Sequence, residues 1–177
     1  LKKMKKLVML KGDLEDSLKE YKEKLNEYQE EKLNEIIEAG KSAPSAMNRQ
    51  IADILVVRKA SNMEALRKLS MQIRGKDCMY GANTIVIVSA PREDNFCAQD
   101  CSCILENIFL AATALKIDSC WINQFDELFS SKEGLKLKKR LGIPEENRVV
   151  GSAILGYRKE GTVIAVKAKD NIKVTIK

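Results

Sequence analysis

The sequence predicts a mixed α and β domain in which helices and short strands interleave around one core. Three observations carry that reading. Residues 54–57 and 84–88 are short β-branched runs, too apolar to face water and too short for helices, hence buried strands. Residues 13–39, 97–115 and 127–141 carry the composition and periodicity of helices. The two kinds of segment alternate along the chain with no internal repeat and no low-complexity stretch between them.

Each element follows from its own signal. Residues 13–39 are dense in Glu, Lys and Leu and read as helix in more than one piece. Leu33, Ile36 and Ile37 form an i, i+3, i+4 apolar stripe. Glu38-Ala39-Gly40 begins to end this helix and Pro44 forbids its continuation. Ser61-Asn62-Met63-Glu64 has capping-box spacing and is expected to open a helix reaching about Ile73. Residues 97–115 form a long apolar helix, and residues 117–122 a third strand holding the only Trp. Residues 127–141 form one amphipathic helix stopped by Gly142 and Pro144. Residues 149–157 are a fourth strand. Residues 161–177 alternate, through Val163, Ile164 and Val166 and then Ile172, Val174 and Ile176, as an extended tail with a strand.

Length and composition bound the function. At 177 residues, 45% hydrophobic and 32% charged, one domain with a sizeable core is expected. Residues 1–12 read as an N-terminal extension and 158–177 as a C-terminal one. The apolar part of the N-terminus, Leu7-Val8-Met9-Leu10, stops at Lys11, too short for a signal peptide, and no apolar run is long enough to span a bilayer. Five cysteines, an odd number, fit a reducing compartment, so a cytoplasmic protein without membrane partners is expected. The net charge of +6 is a mild excess; with 5% aromatics and no nucleic-acid motif, a nucleic-acid partner is not expected.

Chemistry is bounded as tightly. With no histidine, Ser-His-Asp and Cys-His catalysis and His-ligated metals are excluded, so an enzyme on this chain draws its reactive group from a cofactor. The nine glycines make neither G-x-G-x-x-G nor a Walker loop. Cys97, Cys101 and Cys103 give C-x3-C-x-C, but Cys103 points to a different helix face, so these read as packing residues and no metal site is expected.

One run stands out. Ala43-Pro44-Ser45-Ala46-Met47-Asn48-Arg49-Gln50 is a turn of small and amide side chains suited to gripping a polar, planar ligand. It lies among three other segments. Ser17-Leu18-Lys19-Glu20-Tyr21 has the form S-x-[RK]-x-[FY]. Asp118-Ser119-Cys120-Trp121-Ile122-Asn123 follows a long helix. Leu141-Gly142-Ile143-Pro144-Glu145 leads into the last strand. In this order and spacing, over residues 14–177, the four resemble the nitroreductase family of FMN-dependent oxidoreductases; Met79-Tyr80-Gly81-Ala82 before a strand also fits its small members.

The resemblance implies an α+β sandwich, a mainly antiparallel central sheet flanked by helices, and an intertwined homodimer whose C-terminal extension crosses to the partner. It implies FMN at the dimer interface, NADH or NADPH as hydride donor, flavin N5 as the reacting atom, and a nitroaromatic, quinone or similar small-molecule acceptor in a ping-pong cycle. The matching positions would hold the flavin phosphate with Ser17, Lys19, Lys167 and Lys169. Pro44, Ser45, Met47 and Asn48 would line the ring from the neighbouring subunit, and backbone amides near Asn123 and Gln124, beside Trp121 and Ile122, would face its reacting edge. Plainer roles stand beside these: solvated surface lysines, an Asx-turn for Asn48 and a core position for Trp121. Acceptor choice would fall to loops at residues 91–96 and 124–130.

The sequence departs from the family at Glu15, where Arg is usual, at Ile51-Ala52-Asp53, where Pro-Trp usually follows the Gln, and at residues 24–30, which lack the usual proline and read as continuous helix. The alternative these departures raise is a non-catalytic flavin- or planar-anion-binding protein on the same fold.

Overall fold

Strand β2 (Thr84–Pro91) sets the architecture, because its side chains alternate between two cores. Ile85 and Ile87 pack on one side of the sheet with Met63, Leu66, Phe125 and Leu128. Val86 and Val88 pack on the other with Ile36, Leu105 and Ile108. A strand buried on both faces reads as one apolar run, which is how the sequence presents it. The computed structural model describes residues 2–159, 161–163 and 172–176.

The chain runs α1 (Lys2–Lys41), a 3-10 turn (Ala46–Asn48), β1 (Asp53–Val57), α2 (Ala60–Arg74), β2, α3 (Cys97–Ala114), β3 (Asp118–Ile122), α4 (Phe125–Ser130), α5 (Lys132–Arg140) and β4 (Asn147–Gly156). The strand order is β1-β2-β4-β3 and every pairing is antiparallel. α1 and α3 cover one face; α2, α4 and α5 cover the other. This is the expected α+β sandwich.

Four local expectations are corrected. α1 is one continuous 40-residue helix, about 60 Å long at 1.5 Å per residue, and not several pieces. It also runs through Gly40, which therefore does not end it. A Cβ at Gly40 would lie 2.9 Å from Ile108 Cγ1, so this glycine lets α1 approach α3 closely. The Ser61 capping box does not form: α2 begins one residue earlier, Lys59 is its N-cap, and no side chain caps it. Residues 127–141 are two helices, because Ser131 turns extended (φ −76°, ψ 160°). Its hydroxyl donates to the Leu128 carbonyl at 2.8 Å and accepts from the Gly134 N–H at 2.9 Å, capping α5.

The C-terminal expectation fares differently along its length. Ile164 and Val166 lie outside the described residues. Among the described residues 161–163 and 172–176 there is no strand, and Ile172, Val174 and Ile176 are exposed. An alternating segment becomes a strand only against a ladder partner, and none of the four described strands pairs with this one.

Candidate functional site

The run at residues 43–50 folds into a strained, tightly tied turn. Met47, Asn48 and Gln50 all have φ near +53°, three of the five non-glycine residues with positive φ among the described residues. Left-handed backbone is costly for an unbranched residue such as Met, so surrounding bonds must hold it. They are present. The Asn48 N–H donates to the Ser45 carbonyl at 2.9 Å, and the Gln50 N–H to Ser45 Oγ at 3.0 Å. Gln50 Nε2 donates to Asn48 Oδ1 at 2.9 Å, so Asn48 makes no Asx-turn to backbone here and keeps its Nδ2 group for other partners.

Two carboxylates fasten the turn to the body. Asp100, buried in the first turn of α3, accepts from the Ala46 N–H at 2.9 Å. Its place at a helix N-terminus suits its charge. Asp94 accepts two bonds from Arg49, at 2.6 and 2.9 Å, and Arg49 also lies over the Phe96 ring. The hydrogen bond from Arg49 holds the Asp94 carboxyl below its usual range. Sequence reasoning passed over Asp94, Arg49 and Asp100 as site-builders. The signals were an acidic residue at the start of a predicted helix and an Arg within the conspicuous run.

The face this turn presents is open. Pro44 and Asn48 are exposed, Ser45 is half-buried and Met47 is 77% exposed. An exposed, rigidly held Pro and Met beside an amide make a surface on which a flat ring can lie. The segment at residues 91–96, expected as an acceptor loop, begins at the end of β2 and is tied to this turn through Asp94. Residues 125–130, expected as part of the other acceptor loop, are helix α4.

The second group of predicted residues sits beyond the end of β3. The ladder with β4 ends at the pair Ile122 and Ser152, so the backbone of Asn123 and Gln124 lies past it. Ile122 is buried, and Trp121 is half-exposed. The Trp121 ring packs 5.9 Å from Phe109 and over Gly151, where a Cβ would come within 2.7 Å of it. Trp121 is thus a core-edge residue in large part. Gln124 Oε1 is buried and has no hydrogen-bond partner, an acceptor left without a donor. The third group does not converge. Ser17 and Lys19 are both exposed on α1, but two residues apart on a continuous helix point about 200° from one another. Lys167 and Lys169 lie outside the described residues.

The residues at hand fit the ring of FMN better than its phosphate. The rigid Pro44 to Asn48 surface and the orphaned Gln124 acceptor suit a planar heterocycle with an N–H edge. Lys19 offers one cation, with Glu15, Asp16 and Glu23 within one helical turn of it. A larger groove of about 820 Å3, lined by Leu33, Tyr80, Asn83, Asp118, Tyr157 and Arg158 among others, opens at the start of β3, the opposite end from Asn123. Arg158 and Asp118 close part of it with paired bonds of 2.8 and 2.5 Å.

Three of the five thiols are core residues. Cys78, Cys97 and Cys101 are buried and uncharged, and burial pushes the Cys101 thiol up to about 12. Among the described residues no cluster suited to a metal ion occurs, and no helix is long and apolar enough to cross a membrane.

Comparison with known proteins identifies the family. A model of the nitroreductase family matches residues 70–157, a span that excludes the 43–50 turn. A protein of Archaeoglobus fulgidus named NADH dehydrogenase/NAD(P)H nitroreductase is 34% identical over 137 residues, 74% of this chain and 75% of that one. A protein of the same name from Methanothermobacter thermautotrophicus is 28% identical over 149 residues, 81% of this chain and 73% of its own length. The crystal structure of an FMN-bound nitroreductase from Bacteroides fragilis superposes with a TM-score of 0.77 at 35% identity, covering 82% of this chain and 86% of that one. Fold and relatives agree: the chain belongs to the nitroreductase family of oxidoreductases.

Proposed function

We propose that this protein is an FMN-dependent NAD(P)H oxidoreductase acting on nitroaromatic, quinone or similar acceptors, and that it works as a homodimer in the cytoplasm. The observation that carries the proposal is the 43–50 turn. It is held in left-handed backbone by Asp100 and Asp94 while presenting Pro44, Met47 and Asn48 outward. Strain held in place by its surroundings is characteristic of binding sites. Support comes also from two solved nitroreductase structures that carry FMN, one from Bacteroides fragilis at 35% identity and one from Desulfitobacterium hafniense at 29% identity and a TM-score of 0.69.

Bound FMN supplies two-electron chemistry at N5 between NADH or NADPH and the acceptor. The chain's own residues bind and orient. Pro44, Ser45 and Met47 form one wall for the ring, with Asn48 Nδ2 donating to its polar edge. The backbone amides of Asn123 and Gln124, from the other subunit, would serve the reacting edge and favour negative charge there. Gln124, whose Oε1 lacks a donor in this structure, would offer an acceptor to a ring N–H. Lys19 reaches the phosphate, and the carboxylates near it weaken that contact. No side chain in this scheme has to titrate, in keeping with a chain that lacks histidine.

The test is steady-state turnover. With FMN supplied, the protein is expected to oxidise NADH or NADPH in proportion to added quinone or nitroaromatic, with parallel double-reciprocal plots. FMN binding without acceptor-dependent oxidation of either nucleotide would refute the catalytic proposal and leave the flavin-binding alternative.

A further inference from the structure

A cavity of about 210 Å3 lies between α4, α5 and the turn at residues 145–147, many times the space one water needs. It is built around a buried charge. Lys138, next to the core residue Leu137 on α5, is only 4% exposed. An ammonium at that depth has to be bonded. Two of its three N–H groups are: Nζ donates to the Glu145 carbonyl at 2.7 Å and to the Asn147 carbonyl at 2.6 Å. The third has no acceptor among the described residues. Arg92 stands at the same turn. Its backbone N–H donates to the Glu146 carbonyl at 3.0 Å, between the two carbonyls that Lys138 holds. Its guanidinium makes no hydrogen bond or ion pair among the described residues. The two cations feel one another. Burial first, and the charge of Arg92 second, pull the Lys138 ammonium below the ordinary lysine range, against Glu145, Glu146 and Asp126.

We infer that this cavity is a binding site for a small organic carboxylate, whose acid group is held by Lys138 and Arg92 and whose hydrocarbon body is held by Phe129, Leu135 and Val149. The carboxylates that line the cavity do not occupy its cations. Asp126 accepts from Arg148 at 2.9 Å, and Glu145 is exposed and bonds to neither Lys138 nor Arg92 through its side chain. Two cationic donors with N–H groups to spare suit the two oxygens of one carboxylate. The other walls are apolar: Phe129 and Val149 are buried, and Leu135 is 48% exposed. Mostly apolar walls with a few convergent polar groups are what a small organic ligand requires. Inorganic phosphate fits worse, because its remaining oxygens would face walls that offer no donor. A neutral ligand would leave the two like charges unrelieved. None of these residues is placed around the flavin, so the inference is independent of that proposal.

Isothermal titration calorimetry of the protein with benzoate, with and without FMN, is the test. Benzoate is expected to bind once per chain with a dissociation constant of about 1 mM or less, the same in both conditions. Benzyl alcohol and inorganic phosphate are each expected to bind at least about tenfold more weakly. Arg92→Gln should weaken benzoate binding about tenfold, and Arg92→Lys, which keeps the charge but not the fork, by less. Arg92 is exposed and bonded only through its backbone, so both variants should keep the wild-type thermal midpoint. Lys138→Met should abolish binding; if that variant unfolds, the Arg92 pair still decides. No binding of benzoate, phosphate or benzyl alcohol held as tightly as benzoate, or an affinity that Arg92→Gln leaves unchanged would each overturn the inference. So would benzoate binding that FMN abolishes, since that would place the acid in the flavin site. FMN uptake, measured separately at 450 nm, reports on the flavin proposal alone.

Discussion

The 43–50 turn and the first half of α1 carry the two ends of the same predicted ligand site, and the fold treats them oppositely. The turn is short, lacks regular structure beyond one 3-10 turn, and is fixed by bonds to Asp100 and Asp94 on a separate segment. The stretch around Ser17 and Lys19 is regular helix, and exposed throughout. Backbone regularity and preorganisation are therefore different things here. A ligand meets a finished surface at Met47 and an unsupported cation at Lys19.

The largest effect should come from cutting the root of that contrast, where α1 docks. Ile36→Ala empties a fully buried position between α1 and α3 and is expected to cost about 2–5 kcal/mol by denaturant unfolding. Asp100→Ala comes next. It strips the acceptor from the Ala46 N–H, at about 1–3 kcal/mol, and should also lower FMN affinity because the ring wall loosens. Asp100→Asn, which keeps the acceptor oxygen, should recover most of both. On the other side of the comparison, Lys19→Ala should weaken FMN binding about tenfold, and Ser17→Ala much less, since the two side chains point apart. Equal losses from both would mean that the helix does not persist in the complex.

Acidity separates the regions more finely. Asp94 titrates below its unfolded value because Arg49 donates to it. The pair therefore contributes fully above the ordinary carboxylate range and is lost as pH falls through the depressed value. Thermal midpoints followed from pH 7 down to about 3 should fall less steeply in Arg49→Ala than in the wild type. The smallest effect is dynamic. Amides of residues 33–41, on the docked part of α1, should exchange more slowly than those of the exposed residues 14–23.

Much of the fold was legible because its signals are local. The apolar runs at 54–57 and 84–88 could be little but buried strands, and the stripe at Leu33, Ile36 and Ile37 named the docked part of α1 correctly. What misled was local chemistry with two meanings. Gly40 resembled a helix stop but serves a close approach to Ile108, a tertiary fact invisible in sequence. Ser131 is a helix start hidden inside an amphipathic pattern that continues across it. Ser61 had the spacing of a cap but falls inside α2. At the site, the turn at 43–50 was conspicuous, whereas its anchors at Asp94 and Asp100 lie about fifty residues away and needed the packing of α3 to appear. Ser17 and Lys19 read as neighbours in the motif, and only a continuous helix sets them on opposite faces.

The measurement that tests the central claim most directly is titration of the purified protein with FMN, followed by absorbance near 450 nm and by quenching of flavin fluorescence. Saturable uptake of one FMN per chain is predicted, weakened in Asp100→Ala. A protein that stays colourless in excess FMN and leaves its fluorescence unchanged would contradict the account.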